Sequence, residues 1–130
     1  MQSEKISKDF ENGIISGLLC DIETNSLVWN EHNLFKGVFL KHIIKSIDTN
    51  GSLSCHLVKI NPGCAIDTHA HIGKLEVHEI IDGDGICHIG ERTIDYKPGK
   101  VTLIPADIPH KVIAGDEGIF LFAKFSPALI

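Results

Sequence analysis

Glycine and proline cut this chain into short apolar runs, and that punctuation restricts the folds open to it. Residues 36–45 and 52–60 are two such runs, joined by Asp48-Thr49-Asn50-Gly51. Asn-Gly supplies residues that tolerate positive φ, as a tight turn between strands requires. Asn61-Pro62-Gly63 breaks the chain again. Residues 76–82, 86–89, 92–96, 101–104, 110–114 and 119–125 complete the set, with a turn at Gly90-Glu91. Runs spaced about 8–12 residues apart, with turn signals between them, predict an all-β protein, a small antiparallel barrel or sandwich. The first 35 residues are less regular, and residues 6–20 read as a strand or a short helix.

Lysines set the facing of each strand, because they belong in water. With Lys41 and Lys45 outward, Val38, Leu40, His42 and Ile44 face in. Lys59 outward puts Ser54, His56 and Val58 inside, and Lys124 outward does the same for Leu121, Ala123 and Phe125. A β-bulge would flip any of these assignments. The same parity leaves Leu53, Cys55 and Leu57 as one outward apolar row, and Phe120 and Phe122 as another. Such rows call for a cover, either a partner or the N-terminal segment.

At 130 residues the chain is expected to form one domain, 1–130, with residues 52–126 as its core. A net charge of −5 and no basic run argue against nucleic acid as a partner. No apolar stretch approaches the ~20 residues that span a bilayer, so no membrane partner is expected either. The N-terminus is polar and lacks the apolar segment of an export signal, and the apolar residues 14–20 are too short to supply one. Four cysteines without a Cys-x-x-Cys pair then read as reduced thiols in a cytoplasmic protein.

His69 and His71 lie two residues apart, six and eight positions after Gly63, and Glu76 follows five residues beyond His71. On a strand, residues two apart share a face and are separated by roughly 6.5–7 Å, which lets two imidazoles converge on one ion. Glu76 returns on a neighbouring strand after Ile72-Gly73-Lys74. A second block, from Gly99 through Pro105 to His110, adds a further histidine.

Together the two blocks resemble the signature motifs of the cupin superfamily. Gly63, His69, His71, Glu76 and Gly83 match every fixed position of the first motif, and Gly99, Pro105 and His110 match the second. Asp107 stands where the second motif has glycine, and Ala114 where it has asparagine. These two positions are structural in the family, so the departures bear on the turn and the pocket edge. The resemblance spans about residues 52–126 and resembles most the small microbial single-domain cupins. It implies a small antiparallel β-barrel, a double-stranded β-helix of jelly-roll type. It also implies that His69, His71, Glu76 and His110 hold one divalent transition metal, and that two copies pair as a homodimer through sheet faces.

Mixed nitrogen and oxygen ligation suits Fe, Mn, Ni or Zn, and also Cu(II). His42, His56 and His78 are the remaining pocket candidates, as proton shuttles or substrate contacts, with ordinary packing as the alternative for each. His32 and His88 read as surface residues, and Asp107 as a turn residue. Trp29 either caps a barrel mouth or packs. Phe125, Leu103 and Ile80 are the expected apolar wall. The function expected is action on a small polar molecule, dioxygenase-like or of lyase or isomerase type. The alternative is a barrel that binds or senses a small ligand without turnover. No Ser/His/Asp or Cys/His nucleophile and no phosphate loop is present in the sequence.

Overall fold

A computed structural model describes residues 2–130. Helix α1 (Gln2–Glu11) and a hairpin of β1 (Ile14–Ser16) and β2 (Asp21–Glu23) come first. The main sheet then uses β3 (Asn30–Glu31), β4 (Val38–Ile44), β5 (Ser54–Ile60), β6 (Ala65–His69), β7 (Leu75–Ile89), β8 (Arg92–Tyr96), β9 (Val101–Ile104) and β10 (His110–Ser126), with a helical turn α2 (Ser46–Thr49) after β4. The strands run β3-β4-β5-β10-β7-β8, with β6 added on β10 and β9 on β7. Every pairing is antiparallel. This is the jelly-roll arrangement that the sequence predicts.

Two pairs of predicted runs are single long strands. Residues 76–82 and 86–89 form β7 without a break, and 110–114 and 119–125 form β10. The glycines between them mark a bend and not a turn. Gly83 has φ +89° and lies so close to Gly118 that a Cβ would collide with the Gly118 carbonyl oxygen. The bend gives each long strand two sets of neighbours. Residues 110–113 of β10 pair with β6, and 119–125 pair with β5. The expected tight turn at Asn50-Gly51 is longer than a two-residue loop. The backbone makes the α2 turn first, then ends it with Asn50 at φ 53° and Gly51 at φ 82°. Both positive-φ positions lie at the predicted residues.

The core gathers Val58, Ile80, Tyr96, Val112, Leu121 and Phe125 on the inner face. Parity holds along β5 and β10 and fails once on β4, at Ile44. The register shifts between His42 and Ile44, so Ile44 pairs with Cys55 of the outward row. Ile43 is the extra residue of a bulge, and Ile44 turns to the outer face with it. Lys41 does point off the outer face, but it is only 3% exposed. Its Nζ donates to the Thr24 carbonyl at 3.1 Å and lies 5.1 Å from the Trp29 ring centre.

That burial shows what covers most of the outward apolar rows: the N-terminal segment, with Leu53 left exposed. Phe10 of α1 meets Phe122 edge to face with ring centres 5.6 Å apart, and Trp29 packs on Phe120 at 6.2 Å. Cys55, Leu57 and Phe120 are buried as a result. Lys59 and Glu11 add an ion pair across the same contact. Trp29 is therefore a packing residue of the outer face and caps no mouth.

Candidate metal centre

His69 ends β6, His71 follows in the loop, Glu76 is the second residue of β7, and His110 opens β10. The register brings His110 opposite His69. Ligand atoms from the four side chains all lie within 4.8 Å of one another. The Nε2 atoms of His69 and His71 are 3.1 Å apart. Glu76 Oε1 is 3.0 Å from His110 Nε2 and 3.7 Å from His71 Nε2.

His71 is not on the strand, so the shared-face reasoning does not position it. The loop does. The His71 carbonyl accepts the N–H of Asp107 at 3.1 Å, and Asp107 Oδ1 accepts the N–H of Gly73 at 2.7 Å. Asp107 itself takes φ +71°. That is the conformation glycine supplies most easily, and Asp is one of the few other residues that tolerates it. The departure from the family pattern at this position keeps the turn and adds a carboxylate that ties the two motif loops together.

Hydrogen bonds fix which ring nitrogen faces the cluster. His69 donates from Nδ1 to the Asp67 carbonyl at 2.8 Å, and His110 donates from Nδ1 to the Ile108 carbonyl at 3.0 Å. A carbonyl only accepts, so in the neutral rings Nε2 carries the lone pair. On the far side, His78 donates from Nε2 to Glu76 Oε2 at 2.7 Å, and its Nδ1 lies 2.8 Å from the Tyr96 hydroxyl. Burial pushes the Tyr96 hydroxyl above its ordinary range, so it stays protonated and able to donate. Glu76 is thereby held through one oxygen, and its other oxygen is free to face the histidines.

The electrostatics follow from the same contacts. Burial works to raise the Glu76 pKa, but neighbouring His78 and His110 outweigh it and hold the carboxyl below its usual range. Burial works to lower His110, but the Glu76 carboxylate and the Ile108 carbonyl raise it on balance. His69 and His71 are lowered, chiefly by burial.

These donors fit a metal ion. Despite their 3.0 Å approach, Glu76 Oε1 and His110 Nε2 lack hydrogen-bond geometry, and both are buried without a hydrogen-bond partner. A buried polar atom left unpaired costs about 1–3 kcal/mol. One cation shared by three imidazole nitrogens and a carboxylate oxygen removes that cost. Donors around a first-row metal at about 2.1 Å lie roughly 3–4 Å from each other. The spacings above have that scale.

The cupin-domain family profile matches residues 56–122, just over half of the chain and the whole of both motifs. The chain belongs to the cupin family. An oxalate-binding protein of Thermotoga maritima is 27% identical over 55 residues, which is 42% of this cupin and 46% of the relative. The match thus spans about half the length of that curated relative. Among solved structures, a predicted oxalate decarboxylase of T. maritima superposes with a TM-score of 0.75 at 18% identity, covering 82% of this chain and 97% of that one. The polyketide cyclase RemF of Streptomyces resistomycificus does so with a TM-score of 0.72 at 17% identity, covering 85% and 80%. At such identities the structural likeness shows the fold alone.

Four of the five other histidines of the cupin lie around this site. His78 backs Glu76, as above. His56 is buried behind the cluster, edge to face with Phe125, which in turn packs on His71. His42 reaches the mouth. His32, read as a surface residue, also stands at this mouth: its ring stacks on Phe35 at 4.5 Å, and Phe35 lies 5.8 Å from His69. It sits in a loop, where strand parity gives no signal. The wall differs from expectation at Leu103, which is 61% exposed on the outer face. Thr102 and Ile104 are the buried residues of β9. Phe125 does line the cavity, and Ile80 belongs to the core. The cavity beside the cluster is about 60 Å³ and is walled by Leu40, Val58, Leu121 and Phe125. A wider pocket of about 420 Å³ lies at the mouth and shares His32, Leu40, His71 and Leu129 with it.

Proposed function

We propose that this cupin is a metal-dependent enzyme acting on a small, oxygen-rich anion at the His69, His71, Glu76 and His110 centre. The unpaired Glu76 Oε1 and His110 Nε2 inside the four-donor cluster carry the reading. The ion would be Fe, Mn, Ni or Zn, and when bound it supplies Lewis acidity toward an oxygen ligand. Three neutral imidazoles and one carboxylate leave a divalent ion with one net positive charge, which favours an anionic chelator. A cavity of about 60 Å³ admits only a few heavy atoms next to the cluster. Small dicarboxylates, hydroxy acids and keto acids meet both conditions. The apolar wall of Leu40, Leu121 and Phe125 suits dioxygenase-like chemistry, because it keeps water from the reacting atoms.

A second reading is binding without turnover, and the oxalate-binding relative favours it. Metal analysis of the purified protein comes first, with His69→Ala expected to lose the ion. Unchanged metal in that variant would sink both readings. Oxygen uptake by the Fe(II)-loaded protein is then measured against diketones, catechols, thiols and hydroxy acids, alongside calorimetric titration with oxalate. Turnover supports the enzyme; tight oxalate binding with no turnover of any compound supports the binding barrel. The setting we propose is the reducing cytoplasm, supported by four unpaired cysteines. A homodimer is also proposed. Its support is Leu18 and Leu19 at the β1–β2 turn, which are 98% and 92% exposed. Sedimentation of the full chain tests it.

A further inference from the structure

A second polar group lies on the inner face, apart from the four donors. His42 of β4 and His56 of β5 are cross-strand partners, and their Nδ1 atoms are 2.8 Å apart. His56 Nε2 lies 2.8 Å from Ser54 Oγ, which also accepts the N–H of Leu129 at 2.8 Å. His56 and Ser54 are completely buried. Both nitrogens of His56 are therefore committed inside the protein. Of the three groups, His42 lines the mouth pocket together with His71, and with its Nδ1 turned to His56 the ring nitrogen it has left is Nε2.

Two facing Nδ1 atoms can be bonded only if one carries hydrogen and the other a lone pair. That links the states of the two rings. With hydrogen on His42 Nδ1, His42 Nε2 presents a lone pair to the pocket, and His56 Nε2 donates to Ser54. With hydrogen on His56 Nδ1, His42 Nε2 presents N–H, and the Ser54 hydroxyl donates to His56 Nε2. The same spot in the mouth can thus accept or donate a proton while no buried nitrogen loses its partner.

We propose that His42 is the acid–base residue of this cupin, positioned by His56 and Ser54, for a small keto or hydroxy acid lying between His71 and the mouth. The proposal rests on the enzyme reading above. In the forward step a C–H or O–H bond of the substrate breaks. The electron pair stays on the substrate, and the proton forms a new N–H bond at His42 Nε2. The resulting imidazolium keeps its Nδ1–H on the lone pair of His56 Nδ1. Returning the proton to the substrate restores both neutral rings.

The charges around His42 are His56 across the strands, Lys45 on its own strand's end, and Glu31, His32 and His71 around the pocket. Burial, then Lys45, holds His42 below the ordinary histidine value. Burial, then His42, depresses His56 to about 4. The basic form of His42 is therefore present at neutral pH and is lost as pH falls through its depressed value.

The test uses the zinc-loaded full chain and pyruvate, a chelating keto acid whose methyl protons exchange with D₂O only after a base removes them. Wild type is expected to catalyse exchange, with a fall of about a hundredfold or more in His42→Asn and His42→Gln at unchanged zinc content. His56→Gln is expected to retain zinc and partial exchange while moving the midpoint of the pH profile. Equal exchange in wild type and the His42 variants overturns the proposal, and so does no exchange in wild type. Nitrogen NMR of the imidazoles reads the pair directly: His42→Asn should change the ring tautomer of His56. Independent titration of the two rings at ordinary histidine values overturns the positioning role. Failure of the metal reading is separate, and appears as wild-type protein without bound zinc.

Discussion

His110 and His56 are both buried histidines on the inner face of one sheet, and they are perturbed in opposite directions. His56 has both ring nitrogens matched, one to His42 and one to Ser54, and burial with no compensating anion in contact leaves it neutral. His110 meets the Glu76 carboxylate, so its pKa rises although it too is buried. Its Nε2 still lacks a hydrogen-bond partner. The difference teaches that burial of a histidine does not by itself say what it does. A fully matched ring can rest, or pass a proton along its bonds. An unmatched lone pair facing other unmatched donors marks a place for something the chain does not supply.

The comparison breaks most visibly at the donors. His69→Ala and Glu76→Gln should each abolish stoichiometric metal binding, read by elemental analysis after dialysis, while His56→Gln leaves the metal in place. The next effect is on pH stability. The unfolded His56 titrates near 6.5 and the folded one near 4, so the unfolded chain binds more protons between those values. Stability from this group is complete above about pH 6.5 and falls by about 3 kcal/mol as pH drops to about 4. Urea unfolding of wild type against His56→Gln checks it, and the variant should lose that part of the slope. If both proteins lose stability equally over this range, His56 is not the neutral buried ring described.

His78→Phe tests the support behind Glu76. It removes the donor to Oε2 and should weaken metal affinity about 10–100-fold, the range for outer partners of metal ligands. A competition assay with a chelator measures it, and unchanged affinity would show that Glu76 needs no such support. The smallest effect is expected on the outer face. Phe10→Ala removes the edge-to-face contact with Phe122 and should cost about 1 kcal/mol in thermal unfolding. It should leave both metal affinity and pyruvate exchange unchanged, which separates the cover from the interior.

The four donors were legible because five spaced positions of one motif and three of another fix them without any need to know the strands. The strand arrangement was less so. A glycine reads alike whether it ends a strand or bends it, and only the near contact of Gly83 with Gly118 decides between the two. The bulge at Ile43 is invisible to parity, which counts residues and assumes each is paired. Parity gives Lys41 the correct face and the wrong environment, because Thr24 and Trp29 cover it from a distant part of the chain. The place of His32 at the mouth is hidden for a related reason: loops have no period from which to read a direction.

Asp107 bears on how quickly the site can change. The loops carrying His71 and leading to His110 are joined through its backbone N–H and its carboxylate. Two of the four donors therefore belong to one mechanical unit. Fewer joints must be frozen when the donors close on an ion, so less entropy opposes binding. The same linkage resists their parting. An ion held there should leave slowly, and loss of the Asp107 carboxylate should speed its departure.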